Sequence, residues 1–142
     1  MFKRLAIVAT LFLLCAGLGC SRSPSKVFSE MEESARQGDV DKFGSYFTED
    51  SRPFASALLA LYKMQGGAEG SALDLLVKSE VVSEEIDNDR ELATIKAKTA
   101  GQRMFTVVFK KEGGKWKVDL RETEKANGFV ESSDQTAPAG QE

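Results

Sequence analysis

None of the 142 residues is histidine. That absence removes the usual proton acceptor near neutral pH and the commonest metal ligand. A Ser-His-Asp triad, a Cys-His pair and the ordinary zinc sites are excluded within this chain. Cysteine is almost as scarce, with only Cys15 and Cys20 present. Cys15 falls in a leader expected to be removed, which leaves one thiol and no intramolecular disulfide. Positive charge is also in deficit. The formal charge is −3, and losing Lys3 and Arg4 with the leader takes it to −5. A mildly acidic surface gives no electrostatic reason to expect nucleic acid. Nor does it predict attraction of the folded domain to strongly anionic lipid. No cofactor or metal is expected.

The leader is the clearest motif. Lys3 and Arg4 precede an apolar run from Leu5 to Leu18. As a helix that run would span about 21 Å, against a hydrocarbon core of about 30 Å. It suits the apolar region of a signal peptide better than a membrane span. The run ends in Ala16-Gly17-Leu18-Gly19-Cys20. Here the chain resembles the lipobox of bacterial lipoproteins, with Gly19 before the cut and Cys20 as the residue to be acylated. Leucine usually stands three places before that cysteine; here it is Gly17, with Leu18 one place later. The alternative is ordinary secretion, which would leave Cys20 unmodified. With Ser21 after the cysteine and no aspartate, the resemblance implies a cell-envelope protein. In a Gram-negative cell it would lie on the periplasmic face of the outer membrane, bound to the bilayer through acylated Cys20. Two or more buried acyl chains hold a protein stably on a membrane.

Residues 20–25 read as a lipidated tether, 26–121 as one folded domain and 122–142 as a polar tail expected to be disordered, with Phe129 and Val130 as a weak docking pair. Val27, Met31 and Ala35 recur at helical spacing, with Glu30, Glu32 and Glu33 on the wetter side. Gly38 stops that helix and Asp39 caps the next, which carries Val40, Phe43 and Phe47. Asp50 or Ser51 is expected to cap a third helix with Pro53 in its first turn. Its run from Phe54 to Leu61 is so apolar that deep burial, or a place on a cavity wall, is expected. Residues 65–71 form a glycine-rich loop, and Ala72 to Val77 suits helix or strand. Beyond Glu80 the period becomes two. Strands are expected over Val81–Ile86, Leu92–Lys98, Met104–Lys110 and Lys115–Leu120, with turns at Asp87-Asn88-Asp89 and Glu112-Gly113-Gly114. Helices followed by an antiparallel meander of about four strands make an α+β domain.

Two stretches, Gly38-Asp39-Val40 through Phe43, Phe47 and Asp50, and Phe109-Lys110-Lys111-Glu112-Gly113-Gly114-Lys115-Trp116-Lys117-Val118, resemble the nuclear-transport-factor-2-like (cystatin-like) superfamily. Within it they are similar to a group of small bacterial lipoprotein domains with no assigned activity. The resemblance implies a curved sheet wrapped on helices as a cone with an apolar pocket. That fold hosts isomerases, dehydratases and binding domains alike, so it does not choose between them.

Tyr46, Phe54, Leu58, Tyr62, Phe105 and Trp116 are the candidate pocket residues, with core packing as the competing role for those on regular apolar faces. A hydrophobic-pocket isomerase or dehydratase would need a carboxylate base and proton donors. Asp50, Asp74, Tyr46 and Tyr62 are the only candidates, and they match no known catalytic set, so no catalytic residue is assigned. Asp87, Asn88 and Asp89 read as a solvated turn and not a calcium loop. Lys110, Lys111, Lys115 and Lys117 read as charges that keep a strand from pairing with another chain. The expected function is non-enzymatic binding of a small apolar ligand or an envelope protein. The alternatives are a hydrophobic-pocket enzyme, or an assembly partner that forms a homodimer through its sheet. The anchor is testable directly: labelled palmitate should enter the wild-type protein and not Cys20→Ala, and equal labelling of the two would refute acylation at Cys20.

Overall fold

The computed structural model of the chain describes residues 22–67 and 71–128. The leader, Cys20 and the Phe129–Val130 pair lie outside the described residues.

Helix α1, Pro24–Gln37, starts where Ser23 accepts the Lys26 N–H at 3.3 Å and proline fills the first turn. It therefore begins inside the stretch read as tether. A free N–H in its first turn is met from the sheet: the Glu84 carboxylate accepts the Ser25 N–H at 2.7 Å and also the Ser25 hydroxyl. An anion at a helix N-terminus is favoured by the unpaired amides there. Gly38, at φ +67°, ends the helix as expected, its N–H and that of Asp39 donating to the Ala35 and Ser34 carbonyls at 3.0 Å. Asp39 caps α2, Val40–Gly44, by accepting the Lys42 N–H at 3.0 Å. Helix α3 runs over Arg52–Met64 with Pro53 in its first turn, but neither Asp50 nor the Ser51 side chain caps it. The Ser51 hydroxyl is committed elsewhere, accepting from the Thr48 hydroxyl at 2.8 Å and the Leu120 N–H at 3.1 Å. The ambiguous stretch is helix α4, Ala72–Val77, capped by Ser71.

Strands β1 (Glu80–Asp87), β2 (Leu92–Lys98), β3 (Met104–Glu112) and β4 (Lys115–Val118) form one curved antiparallel sheet in the order β1-β2-β3-β4. The fold class is α+β, as expected. Gly113 and Gly114 both have positive φ, 57° and 75°, which the tight turn between β3 and β4 requires. Ala93, Ile95 and Ala97 pair with Phe109, Val107 and Phe105 on the inner face. Against that face lie Phe28 and Met31 of α1 and Phe43 of α2, all essentially solvent-free. Asp87 folds the β1–β2 turn by accepting the Arg90 N–H at 3.1 Å, in keeping with a plain turn.

Three expectations need correction. First, α3 is not deeply buried. Only Ala55 and Leu59 are covered, while Phe54 is 60% exposed and Leu61 50%. The reason is stacking: α3 packs on α2 and α4 and has little contact with the sheet. Gly44 permits the close approach, since a Cβ there would sit 2.2 Å from the Ser56 hydroxyl oxygen.

Second, the stretch assigned to the tail begins with structure. Helix α5, Leu120–Ala126, starts at Asp119, whose carboxylate accepts the Glu122 N–H at 3.1 Å. It covers the edge of β3 that the short β4 leaves unpaired. The Val108 N–H donates to the Thr123 hydroxyl at 3.0 Å. The Asn127 carboxamide accepts the Thr106 N–H at 2.9 Å and donates to the Thr106 carbonyl at 2.7 Å, imitating a strand partner.

Third, Glu32 is not on the wet side. It is buried, accepting from the Ser79 hydroxyl at 2.9 Å, with Arg36 at 4.0 Å. Burial pushes its carboxyl above the ordinary carboxylate value, and the Ser79 bond and Arg36 only partly oppose this.

Asn127→Ala should cost about 1–3 kcal/mol by leaving the Thr106 groups without partners; an unchanged denaturation midpoint would refute the edge-covering role. Glu32→Gln should be more stable than wild type at neutral pH, where the buried carboxylate is penalised. The gain should vanish below the unfolded carboxyl's value of 4.5, because Glu32 is then protonated in both states. Parallel stability–pH curves for the two proteins would contradict this.

Candidate functional site

The six candidate pocket residues do not share one cavity. Tyr46 and Trp116 line one depression, Leu58 and Phe105 another and Phe54 a third, while Tyr62 lines none of the three.

Leu58 and Phe105 meet at an apolar groove of about 120 Å³, closed below by Phe43, Phe47, Leu73 and Val118. Thr123 of α5 brings the only polar side-chain group to this lining, and its hydroxyl is already engaged with the Val108 N–H. Beside the groove the outer face of α3 continues the apolar surface. Phe54, Leu58, Leu61 and Met64 recur at three- to four-residue spacing and are exposed by 60%, 37%, 50% and 85%. Water contact with that much large apolar side chain is unfavourable by about 25 cal/mol per Å² relative to burial. Phe54 stands at the end of the stripe, above a separate polar hollow that also contains Asp50. Tyr62 is half-buried against the core and close to Gly67.

Tyr46 and Trp116 lie in a separate open depression of about 450 Å³ beside the β3–β4 turn. Trp116 is buried in its floor, with the Lys111 ammonium 5.0 Å from the ring centroid, a cation–π contact. Burial raises the Tyr46 phenol above its usual value, and the nearby Glu30 carboxylate adds to the shift. Around them stand Arg22, Lys42, Lys115 and Lys117. The Lys117 ammonium donates to the Ser45 carbonyl. Burial lowers its pKa, and the neighbouring Arg52 and Lys115 charges lower it further.

The carboxylates weighed for catalysis stand apart from the groove. Asp50 is exposed. Asp74 is buried and ion-paired with Lys78 at 2.9 Å. No titratable side chain lines the apolar groove among the described residues. No metal-ligating group of three or more carboxylates or thiols occurs among them.

Sequence reasoning singled out Lys115 and Lys117 but missed their neighbours Arg22 and Lys42. Those two come from separate segments, and no local pattern joins them. Comparison with family models, with curated proteins and with solved structures finds no match.

Proposed function

We propose that this chain is a lipid-anchored envelope protein whose nuclear-transport-factor-2-like domain binds, without turnover, an apolar segment of a partner protein. The groove takes one bulky side chain, and the exposed α3 stripe takes the residues flanking it. The observation that carries this reading is the continuity between the groove at Leu58 and the exposed side chains of Phe54, Leu61 and Met64.

Size supports a partner side chain over a free apolar ligand. An engineered cavity of about 150 Å³ accepts one benzene-sized molecule, whereas ligand pockets usually reach about 300–1,000 Å³. The groove's 120 Å³ belongs with the first. The stripe spans three turns of helix, which suits the helix-in-groove mode of recognition by spaced anchors. Chemistry favours binding over an isomerase or dehydratase, because a base and a proton donor would have to reach a lining made almost wholly of hydrocarbon. Against a dimer formed through the sheet, the outer face of β2 offers Thr94, Lys96 and Lys98, with Met104 as the exposed large apolar side chain beside Lys98. No helix among the described residues is long and apolar enough to cross a membrane, so in this reading attachment falls to Cys20.

A photoreactive amino acid at exposed Ala57 tests the site while leaving the stripe intact. In cells it should give one discrete adduct whose cross-linked partner residue lies in an apolar segment. Leu61→Asp should abolish the adduct with no change in melting temperature, and the same probe at Lys96 should give none. An adduct indifferent to Leu61→Asp, one equally strong from Lys96, or one formed only with a second copy of this chain would overturn the proposal.

A further inference from the structure

The depression beside the β3–β4 turn has a composition that the proposed docking function does not use. A net-negative chain has gathered four cations around one concavity. Arg22 precedes α1, Lys42 lies on α2, and Lys115 and Lys117 come from β4. Glu30 pairs with Arg22 at 2.7 Å, and Asp39 and Glu112 are the further carboxylates close enough to act on Tyr46 and Lys117 respectively. Lys42 and Lys115 have no carboxylate within ion-pair distance among the described residues. Lys117 is held by the Ser45 carbonyl and is partly buried, so it is not a freely solvated surface charge. Gly114 leaves one wall without a side chain, and nothing lies within 4 Å of where its Cβ would be.

Like charges gathered around a concavity repel one another and favour an anion between them. Ammonium groups act as point charges, and a guanidinium offers a planar fork; together they suit an anion with several oxygens better than a single carboxylate. At about 450 Å³ the depression exceeds the needs of a simple halide. We infer that this depression is a binding site for a phosphate-type oxyanion, held by Lys42, Lys115, Lys117 and Arg22. The phosphate is carried by a lipid headgroup or is free in solution. The headgroup source rests on the reading of Cys20 as the acylated residue, because Arg22 follows it by two positions and sets the lip of the depression at the bilayer surface. The free-phosphate source does not depend on that reading.

Trp116 is the sole tryptophan and lies in the floor, so its fluorescence reports occupancy. The processed protein is placed in phosphatidylcholine liposomes or, if it purifies without lipid, in buffer with the liposomes added. Inorganic phosphate is then titrated at low salt. In a second arm, phosphatidylglycerol replaces part of the phosphatidylcholine and no phosphate is added. A saturable change in Trp116 emission is expected in at least one arm: the phosphate arm identifies a free anion, the phosphatidylglycerol arm a headgroup. Lys42→Gln with Lys115→Gln should weaken the responding arm by at least about tenfold with an unchanged melting temperature. Lys96→Gln with Lys98→Gln, which removes the same charge from the outer sheet face, should leave the response in place. No saturable change in either arm, or equal weakening by both double variants, would overturn the site. Neither result bears on the Ala57 cross-link, which reads the separate groove and stripe at α3.

Discussion

Two backbone hydrogen bonds at Val118 join the helical layer to the sheet. The Val118 N–H donates to the Tyr46 carbonyl at 2.8 Å, and the Thr48 N–H donates to the Val118 carbonyl at 2.9 Å. Phe47 thus sits beside Val118 in a single parallel bridge. The seam extends both ways. Lys117 donates to the Ser45 carbonyl, and the Leu120 N–H donates to the Ser51 hydroxyl. Segments 45–51 and 117–120 therefore run side by side, and the outer edge of β4 is closed at Val118. The seam also places both surfaces. Tyr46, Trp116 and Lys117 line the cationic depression; Phe47, Val118 and Leu120 line the apolar groove.

The remaining edges are handled by different means. Where β4 ends, α5 continues the protection of β3 with the Thr123 hydroxyl and the Asn127 carboxamide. On the other side β1 is exposed along almost its whole length and carries Glu80, Glu84, Glu85 and Asp87. Charge on an open edge discourages pairing with another chain. Glu84 also serves as an anion at the start of α1. Acidic residues thus concentrate on β1 while Lys115 and Lys117 stand on β4. A net charge of −3 is the sum of these, and a sum says nothing about a cationic hollow.

Features set by local chemistry were legible in the sequence. The bounds of β2, the αL stop at Gly38, the cap at Asp39 and the Gly113–Gly114 turn follow from period, side-chain length and permitted φ. The helix after β4 was also readable. Asp119 and Glu122 form the D-x-x-E start that often opens a helix, but the thinning of apolar residues beyond Arg121 masked it. The orientation of α3 was not readable in this way. An apolar stripe shows that a helix has a face averse to water, and only tertiary packing decides whether the protein itself covers it. Ala55 and Leu59 turned inward because Gly44 lets α2 approach closely, which leaves Phe54, Leu58 and Leu61 outward. The same limit split the candidate pocket, since Tyr46 and Trp116 share a wall with Lys42 and Arg22 only after Val118 has joined the layers. Glu32 was missed because its position on α1 resembles a wet one until Ser79 packs over it.

Amide hydrogen exchange at Val118 and Thr48 tests most directly whether this seam organises the molecule. Both amides should exchange only through global unfolding, with protection equal to that of Ile95 in the centre of the sheet. Exchange as fast as that of the exposed β1 edge would contradict the account, because the groove and the cationic depression would then lack the wall they share.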